Sequence, residues 1–349
     1  MNSIPIGKYL IGKERPCFLA AEIGINHNGD MQLAKKTIDT AVEAGADAVK
    51  FQNYHTEDFI ADKSLTYEYI SQGKTIVESQ YEMFKRCELT AESLYELKSY
   101  CDRQGISFHS TPTSEAGIRD LLEIGVPVLK NGSDYLTNLP LIKAMGDTGL
   151  PTVLSTGMAT LAEIEDAVRT FRKTSNEQLI LLHCTSSYPT PPEDVHLRKI
   201  GSLAAVFGCP VGLSDHTDGI TAAVGAVTLG ACWIEKHFTL DKDLPGPDHH
   251  FSSDPAEFKA LVTAVRTTEK YLGNSQISPT SSEEKGRKNF RLSCVTSHEL
   301  PVGHVLSEDN IVFRRPGTGV PPTHSYLLIG RTLKQHLSAN QVIELSYLK

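Results

Sequence analysis

The sequence predicts an α/β protein: a (β/α)₈ TIM barrel followed by a small, mainly-β C-terminal domain. Three observations predict it. Eight short apolar, β-rich runs each close in polar residues, and each run is followed by a stretch with helical periodicity. The alternation then stops at a Ser-rich, charged segment, beyond which about 60 residues carry only short β-like runs and turn-rich loops. In such a barrel the C-terminal strand ends converge on one open face, so the residues that close the runs are the candidate active site.

The first run, within CFLAAEIGINHNG, closes at Glu22 and leads into a Gly-bounded turn that directs Asn26 and His27 toward the barrel mouth. A helix follows, with Asp30 as its N-cap, Ala34, Ile38, Ala41 and Val42 on one face, and its end at Gly45. The second run, DAVKFQ, supplies Lys50 and Gln52. An insertion over 53–90, rich in Tyr, Glu, Lys and Gln, interrupts the rhythm; it is too long for an idle loop and is expected to fold over the mouth. Helices are then expected near 91–104, 114–124, 138–148, 160–172, 196–207, 217–229 and 254–272. The strands between them close at Thr111, Lys130, Ser155, His183, Ser214 with His216, and His237. Right-handed strand-helix-strand crossovers, eight in succession, close the sheet. Residues 1–273 are therefore assigned to the barrel, 274–289 (NSQISPTSSEEKGRKN) to a linker, and 290–349 to the second domain.

Composition excludes several classes. A net charge of −8 with 22% charged residues gives no electrostatic footprint for nucleic acid. No apolar run approaches a membrane span, and the opening MNSIPIGKYLIGKERP is broken by Lys8, Lys13, Glu14 and Arg15, so neither membrane nor secretion is expected and the chain reads as cytoplasmic. Seven cysteines without a CxxC pair are expected to be small buried apolar residues with no chemistry.

The strand-end residues form chemical groupings. His216 and His237 close successive strands and are candidate ligands of a divalent metal, with positions left for water or substrate; residue type alone does not fix the metal. Asp215 and Glu235 are candidates to support them from behind. Lys50 and Lys130, with Thr111, Ser133, Ser155, Thr156 and Ser214, read either as salt-bridged barrel lysines or as a cradle for a compact polyanion. Glu22, the one acid in its run, is either locked to a lysine or kept for proton transfer. LPGPDHHF adds Asp248 as a candidate holder of sugar hydroxyls, beside His249 and His250.

The strings AEIGINHNG, GADAVKFQ, STP, LSTGM, HCTSSYPTPPEDV, GLSDHT, EKHFT and LPGPDH, in this order, resemble the sialic acid synthase family, which makes N-acetylneuraminate, legionaminate and related nine-carbon acids. The tail, with PVGHVLSEDN and RRPGTGVPP, resembles that family's antifreeze-like (SAF) domain. The resemblance implies condensation of phosphoenolpyruvate with an N-acyl amino sugar: N-acetylmannosamine or a 2,4-diacetamido-6-deoxy hexose. It implies a divalent cation, manganese first and magnesium or cobalt as alternatives, between His216 and His237. It implies that Lys50, Thr111, Lys130, Ser133 and Ser214 hold phosphoenolpyruvate, while Gln52, Tyr188 and Asp248 meet the sugar. It also implies a homodimer in which Arg315 reaches the partner's barrel.

The chain departs from the family pattern at three places. Ser186 stands where the family prototype has an asparagine. Asp134 and Tyr135 stand in a string where the prototype carries a glutamate; either Asp134 substitutes from one residue earlier or Tyr135 recuts the sugar pocket. The insertion lacks an asparagine near Lys74. Two other functions fit the residues in part: a metal-dependent pyruvate aldolase on the same barrel, which needs no phosphate cradle, and a non-catalytic carbohydrate-binding protein, which has no need for Glu22, Lys50, Lys130, His216 and His237 together.

Overall fold

In a computed structural model that describes residues 3–349, the chain divides into two compact units, Met1–Gly273 and Asn274–Lys349. The first is built on eight parallel strands: β1 (Phe18–Gly24), β2 (Ala48–Asn53), β3 (Ser107–Pro112), β4 (Leu129–Asn131), β5 (Thr152–Ser155), β6 (Leu179–Cys184), β7 (Val211–Asp215) and β8 (Trp233–His237). Their order in the sheet is β3-β2-β1-β8-β7-β6-β5-β4, which is chain order wrapped around a cylinder. At the remaining seam β3 and β4 are in contact, without a hydrogen-bonded ladder among the described residues.

Eight helices alternate with these strands: α1 (Met31–Ala44), α2 (Ala91–Gln104), α3 (Glu115–Glu123), α4 (Leu139–Asp147), α5 (Leu161–Arg172), α6 (Lys199–Phe207), α7 (Thr221–Thr228) and α8 (Pro255–Leu272). Their ends follow local chemistry. Asp30 caps α1 by accepting from the N–H groups of Gln32 and Leu33, and Gly45 ends it in the left-handed conformation. Thr160 with Glu163 and Asp254 with Glu257 form capping boxes that start α5 and α8.

Most strand residues are buried on both faces, as parallel strands under helices must be. Leu19, Val49, Phe108, Leu154, Leu181, Leu213 and Ile234 join helix residues such as Ile38, Leu97, Phe171 and Phe258 in one continuous core. The barrel interior has a second apolar cluster. An N-terminal hairpin, Ile4–Ile6 with Tyr9–Ile11, is placed against the strand starts, where Ile4, Ile6 and Ile11 pack with Phe18, Ala20, Ala48, Val128, Val153, Ile180 and Trp233. Burying each large side chain there contributes about 1.5–3 kcal/mol. The polar residues are thus displaced to the opposite end, where the site lies.

The 53–90 insertion carries the antiparallel hairpin Thr66–Ser71/Lys74–Ser79 and the helix Gln80–Cys87. Gln72 donates to the Asp243 carbonyl, and the Gly246 N–H donates to Ser71, so the hairpin is tied to the loop after β8. In the second unit, Ser293–Thr296 pairs with Ile311–Arg314, and Cys294, Leu300, Leu306, Leu328, Leu333, Leu337 and Ile343 form a separate core. Residues 274–289, assigned to a linker, include the turn Ser281–Glu283 and much of the helix Glu284–Phe290. A Thr280–Glu283 capping box starts the turn that leads into this helix, where no apolar period signals either. No helix among the described residues is long and apolar enough to cross a membrane.

Candidate active site

Strand register sets the site. In the parallel ladder His237 lies level with Glu22, Glu22 with Lys50, and Ser214 with Glu235, so their side chains enter the interior side by side. The register of β1 shifts between Glu22 and Gly24, a bulge that ends the strand at the cavity floor. Gly24 has φ +55°, and a Cβ there would meet Glu22 Oε1 at 3.1 Å, so a side chain is disfavoured twice.

A cavity of about 540 Å³ opens above this floor, within the range of small-molecule sites. Glu22, Lys50, Gln52, Thr111, Lys130, Ser133, Asp134, Tyr135, Ser155, Ser186, Tyr188, Ser214, His216, His237 and Asp248 all line it. Arg315 belongs to the second unit, where its guanidinium lies 5.3 Å from the centre of the Phe290 ring.

A chain of charges crosses the floor. Lys50 Nζ is 2.9 Å from Glu22 Oε2 and 3.7 Å from Glu235 Oε1, which is itself 3.7 Å from Lys130 Nζ. Lys50 donates to Thr111 at 3.1 Å, Lys130 to Ser155 at 2.7 Å, Gln52 to Glu22 at 3.3 Å and Ser214 to Glu235 at 3.3 Å. Ser133 accepts from the Gly157 N–H. Burial pushes the Glu22 carboxyl up to about 7 against the pull of Lys50, so this group changes protonation near neutral pH. Burial also resists ionisation of Glu235, but Lys130 and Lys50 outweigh it and hold that carboxyl below its ordinary range. Lys130 is lowered by burial, with the Lys50 charge adding to the effect. The salt-bridged reading of the lysines is thus what the structure shows, with Lys50 and Lys130 also lining the cavity.

The two imidazoles sit with ring centroids 5.4 Å apart, and Tyr188 packs on His216 at 4.3 Å. His216 Nδ1 is 2.9 Å from the Thr185 carbonyl, which assigns its proton there and leaves Nε2 as a lone-pair donor. His237 Nδ1 is buried without a hydrogen-bond partner, 3.8 Å from Asp248 Oδ2, and burial holds this imidazole well below the ordinary pKa, in its neutral form. Two neutral-capable nitrogens fit a divalent cation. Among the described residues no group of three or more His, Cys, Asp and Glu forms a cage, so the remaining positions would fall to water and substrate. Burial raises Asp248 to about 6, with His216 opposing.

Several polar residues expected at the mouth have structural duties instead. Asn26 donates to the Phe238 carbonyl and Ser252, and His27 Nδ1 accepts from the Gly29 N–H. Thr156 donates to the Leu182 carbonyl, His183 bonds to the Val195 carbonyl, and His249 is tied to Thr239. Asn26, His27, Thr156 and His183 each meet a backbone group, while His249 pairs with a side-chain hydroxyl. Conversely, Ile25, Tyr67, Gln80, Met83, Phe84, Thr113 and Met158 line the cavity with no sequence signal that singles them out. Tyr67, Gln80, Met83 and Phe84 come from the insertion, which thus covers the mouth as expected. Cysteine burial is as expected throughout, but Cys184 is not a bystander: it lines the cavity, its Sγ 3.9 Å from His216 Nδ1.

Comparison with known proteins gives a consistent picture. The NeuB family profile matches residues 37–277 and the SAF domain profile residues 293–348. N,N'-diacetyllegionaminic acid synthase of Legionella pneumophila is 40% identical over 336 residues, covering 95% of this chain and 94% of that protein. An uncharacterized protein of Methanocaldococcus jannaschii is 45% identical over 343 residues, 98% of each chain. The crystal structure of N-acetylneuraminic acid (sialic acid) synthetase from Leptospira borgpetersenii superposes with a TM-score of 0.74 at 36% identity, covering 82% of this chain and 95% of that one.

Proposed function

The chain belongs to the NeuB family and is a synthase of the sialic acid type, and on that premise we propose that it condenses phosphoenolpyruvate with an N-acyl amino sugar, releasing phosphate and a nine-carbon 2-keto acid. The observation that carries the reading is the floor itself: Lys50 and Lys130 are both paired to Glu235, beneath a cavity that also holds two imidazoles.

In this reaction C3 of the enol phosphate bonds to the sugar aldehyde carbon, whose oxygen takes a proton. Water adds to C2 and loses one proton; the C2–O bond to phosphate then breaks as the new C2 hydroxyl gives up the second, leaving C2 a ketone, so that of the two protons one balances that taken by the aldehyde oxygen and the other leaves on phosphate. A divalent cation held by His216 and His237, manganese by preference, would supply polarisation of the aldehyde. Lys50 and Lys130 hold the phosphate and carboxylate, and the hydroxyls of Thr111, Ser133, Ser155 and Ser214 complete the donor set. Glu22, balanced near neutrality, moves the proton. Gln52, Tyr188 and Asp248 bound the sugar end, with Asp134, Tyr135 and Ser186 shaping which sugar enters.

The acceptor we propose is N-acetylmannosamine or a 2,4-diacetamido-6-deoxy hexose; the Legionella relative's product favours the second. Seven unpaired cysteines favour a cytoplasmic setting. We further propose a homodimer whose Arg315 completes the partner's site. Phosphate release with a panel of amino sugars tests the reaction, and phosphoenolpyruvate labelled with ¹⁸O at the bridging position tests the bond cleaved. The label should leave in phosphate; label retained in the nine-carbon product refutes C–O cleavage, and no phosphate release with any sugar refutes the reaction.

A further inference from the structure

We propose that Asp215 and Lys236 form a cross-strand brace that sets the spacing and aim of His216 and His237. The two residues immediately precede the two histidines and lie level with each other on β7 and β8. Lys236 Nζ is 2.9 Å from Asp215 Oδ2 and donates at 2.6 Å to the carbonyl of Thr217. Asp215 Oδ1 accepts from the Thr217 N–H at 2.9 Å and from its hydroxyl at 2.8 Å. The ring Lys236–Asp215–Thr217 therefore grips the backbone on both sides of His216 and ties it to the residue before His237.

The pair stands where packing alone would not put it. Alternation along β7 and β8 sends Ser214, Glu235 and His237 into the cavity and Asp215 and Lys236 to the helix side, where their neighbours Leu213 and Ile234 belong to the apolar core. The side chains are 1% and 3% exposed. A buried ion pair in such a place contributes little stability relative to well-packed apolar residues of the same volume, because desolvation offsets the attraction. Its distinctive property is directional: three hydrogen bonds and an ion pair fix one register and one backbone course. Groups that orient metal ligands from behind are worth about ten- to hundred-fold in metal affinity. Asp215 and Lys236 are thus positioning residues, outside the cavity and touching no substrate.

The inference rests on the metal reading of the two histidines, so the experiment separates the two. Manganese binding to wild type, its His216→Ala variant and an Asp215→Asn/Lys236→Met double variant is followed by the electron paramagnetic resonance of the free ion, alongside melting temperature. The asparagine side chain can still accept from Thr217, and no unpaired charge is left buried, so the double variant should melt within a few degrees of wild type. Its manganese dissociation constant should rise about ten- to hundred-fold. Lys236→Arg, which keeps charge and donors, should recover most of the affinity. An unchanged dissociation constant in the double variant overturns the brace. If that variant fails to fold, Asp215→Glu gives the same readout, since it keeps the charge while changing the reach; wild-type affinity in that variant overturns the brace. Should wild type itself bind no manganese, the metal reading fails, and the imidazole ¹⁵N resonances of His216 and His237 then decide: shifted in the double variant they support the brace, unmoved they overturn it.

Discussion

Replacing Glu22 with glutamine should make the barrel more stable at high pH while stopping the reaction. Glu22 is 2% exposed, and its carboxyl is raised from an ordinary 4.5 to about 7, burial outweighing the Lys50 ammonium 2.9 Å away. Below 4.5 both folded and unfolded chains hold the proton. Between 4.5 and 7 only the folded chain does, so raising the pH through this window removes stability, and above 7 the loss is complete. At 1.36 kcal/mol per pH unit the full effect is about 3 kcal/mol. Glutamine imitates the protonated carboxyl and has nothing to lose. The stability difference, variant minus wild type, should therefore grow by about three quarters of this amount between pH 5 and pH 8. Asp248, raised to about 6, tilts both proteins alike and cancels in the difference. The chain's single tryptophan, Trp233, is fully buried in the barrel interior, so its fluorescence reports barrel unfolding in urea without contribution from the second unit. Measurements belong in metal-free buffer. A difference that stays flat from pH 5 to 8 refutes the assignment of a raised, titrating Glu22. Catalysis should fall by about 10²- to 10⁴-fold, giving a protein that is stabilised and inactive.

Three further outcomes are expected. Lys130→Met removes one cation from the cradle and should lower kcat/KM for phosphoenolpyruvate by about ten- to hundred-fold, the worth of a charge-assisted hydrogen bond; an unchanged value would assign Lys130 a purely structural part. Chelation should abolish phosphate release and manganese, cobalt or magnesium should restore it, while His216→Ala is folded and inactive; full activity in a metal-free sample would remove the cation from the reaction. Mixing Glu22→Gln and Arg315→Ala subunits should return about a quarter of wild-type activity if Arg315 serves the partner's site, since half of reassorted dimers are mixed and each has one intact site; no return after verified exchange argues against sharing.

The site is legible in the sequence because parallel strands make it so. Lys50, Lys130, Ser155, Ser214 and His237 sit at inward positions at or near the ends of apolar runs; register sets Glu22 beside both Lys50 and His237 and Ser214 beside Glu235, and Lys130, level with Val153, reaches along β5 to Ser155. What the pattern cannot tell is which polar residue near a strand end faces the cavity and which satisfies backbone. Asn26 and His27 share the composition of site residues yet are struts, because irregular turns leave carbonyls and N–H groups that some side chain must meet; Thr156 turns its hydroxyl to the Leu182 carbonyl of β6. The N-terminal hairpin escapes the pattern for a different reason: three-residue strands around Gly7-Lys8 are too short to show a period, although Ile4, Ile6 and Ile11 alternate inward. Tyr67, Met83 and Phe84 reach the cavity only through the fold of the insertion, which no local spacing encodes.

The order of proton movements in the proposed reaction follows from the charges on the floor. With Glu22 ionised, two ammonium groups face two carboxylates and the floor is balanced; with Glu22 protonated it carries one excess positive charge. A polyanionic substrate settling on Lys50 and Lys130 competes with Glu22 for the same ammonium and adds negative charge beside it. Both effects raise the carboxyl further above about 7. Substrate binding therefore draws a proton onto Glu22, and the group enters the reaction as an acid, able to supply the aldehyde oxygen as the carbon–carbon bond forms. Having given the proton up, it is a buried carboxylate with a strong affinity for another, and the water adding to C2 has one to lose. On the proposed reaction, a single residue poised near neutrality by burial would serve both steps in turn, which a carboxyl at the ordinary value would not, since it would stay ionised when the acid is needed.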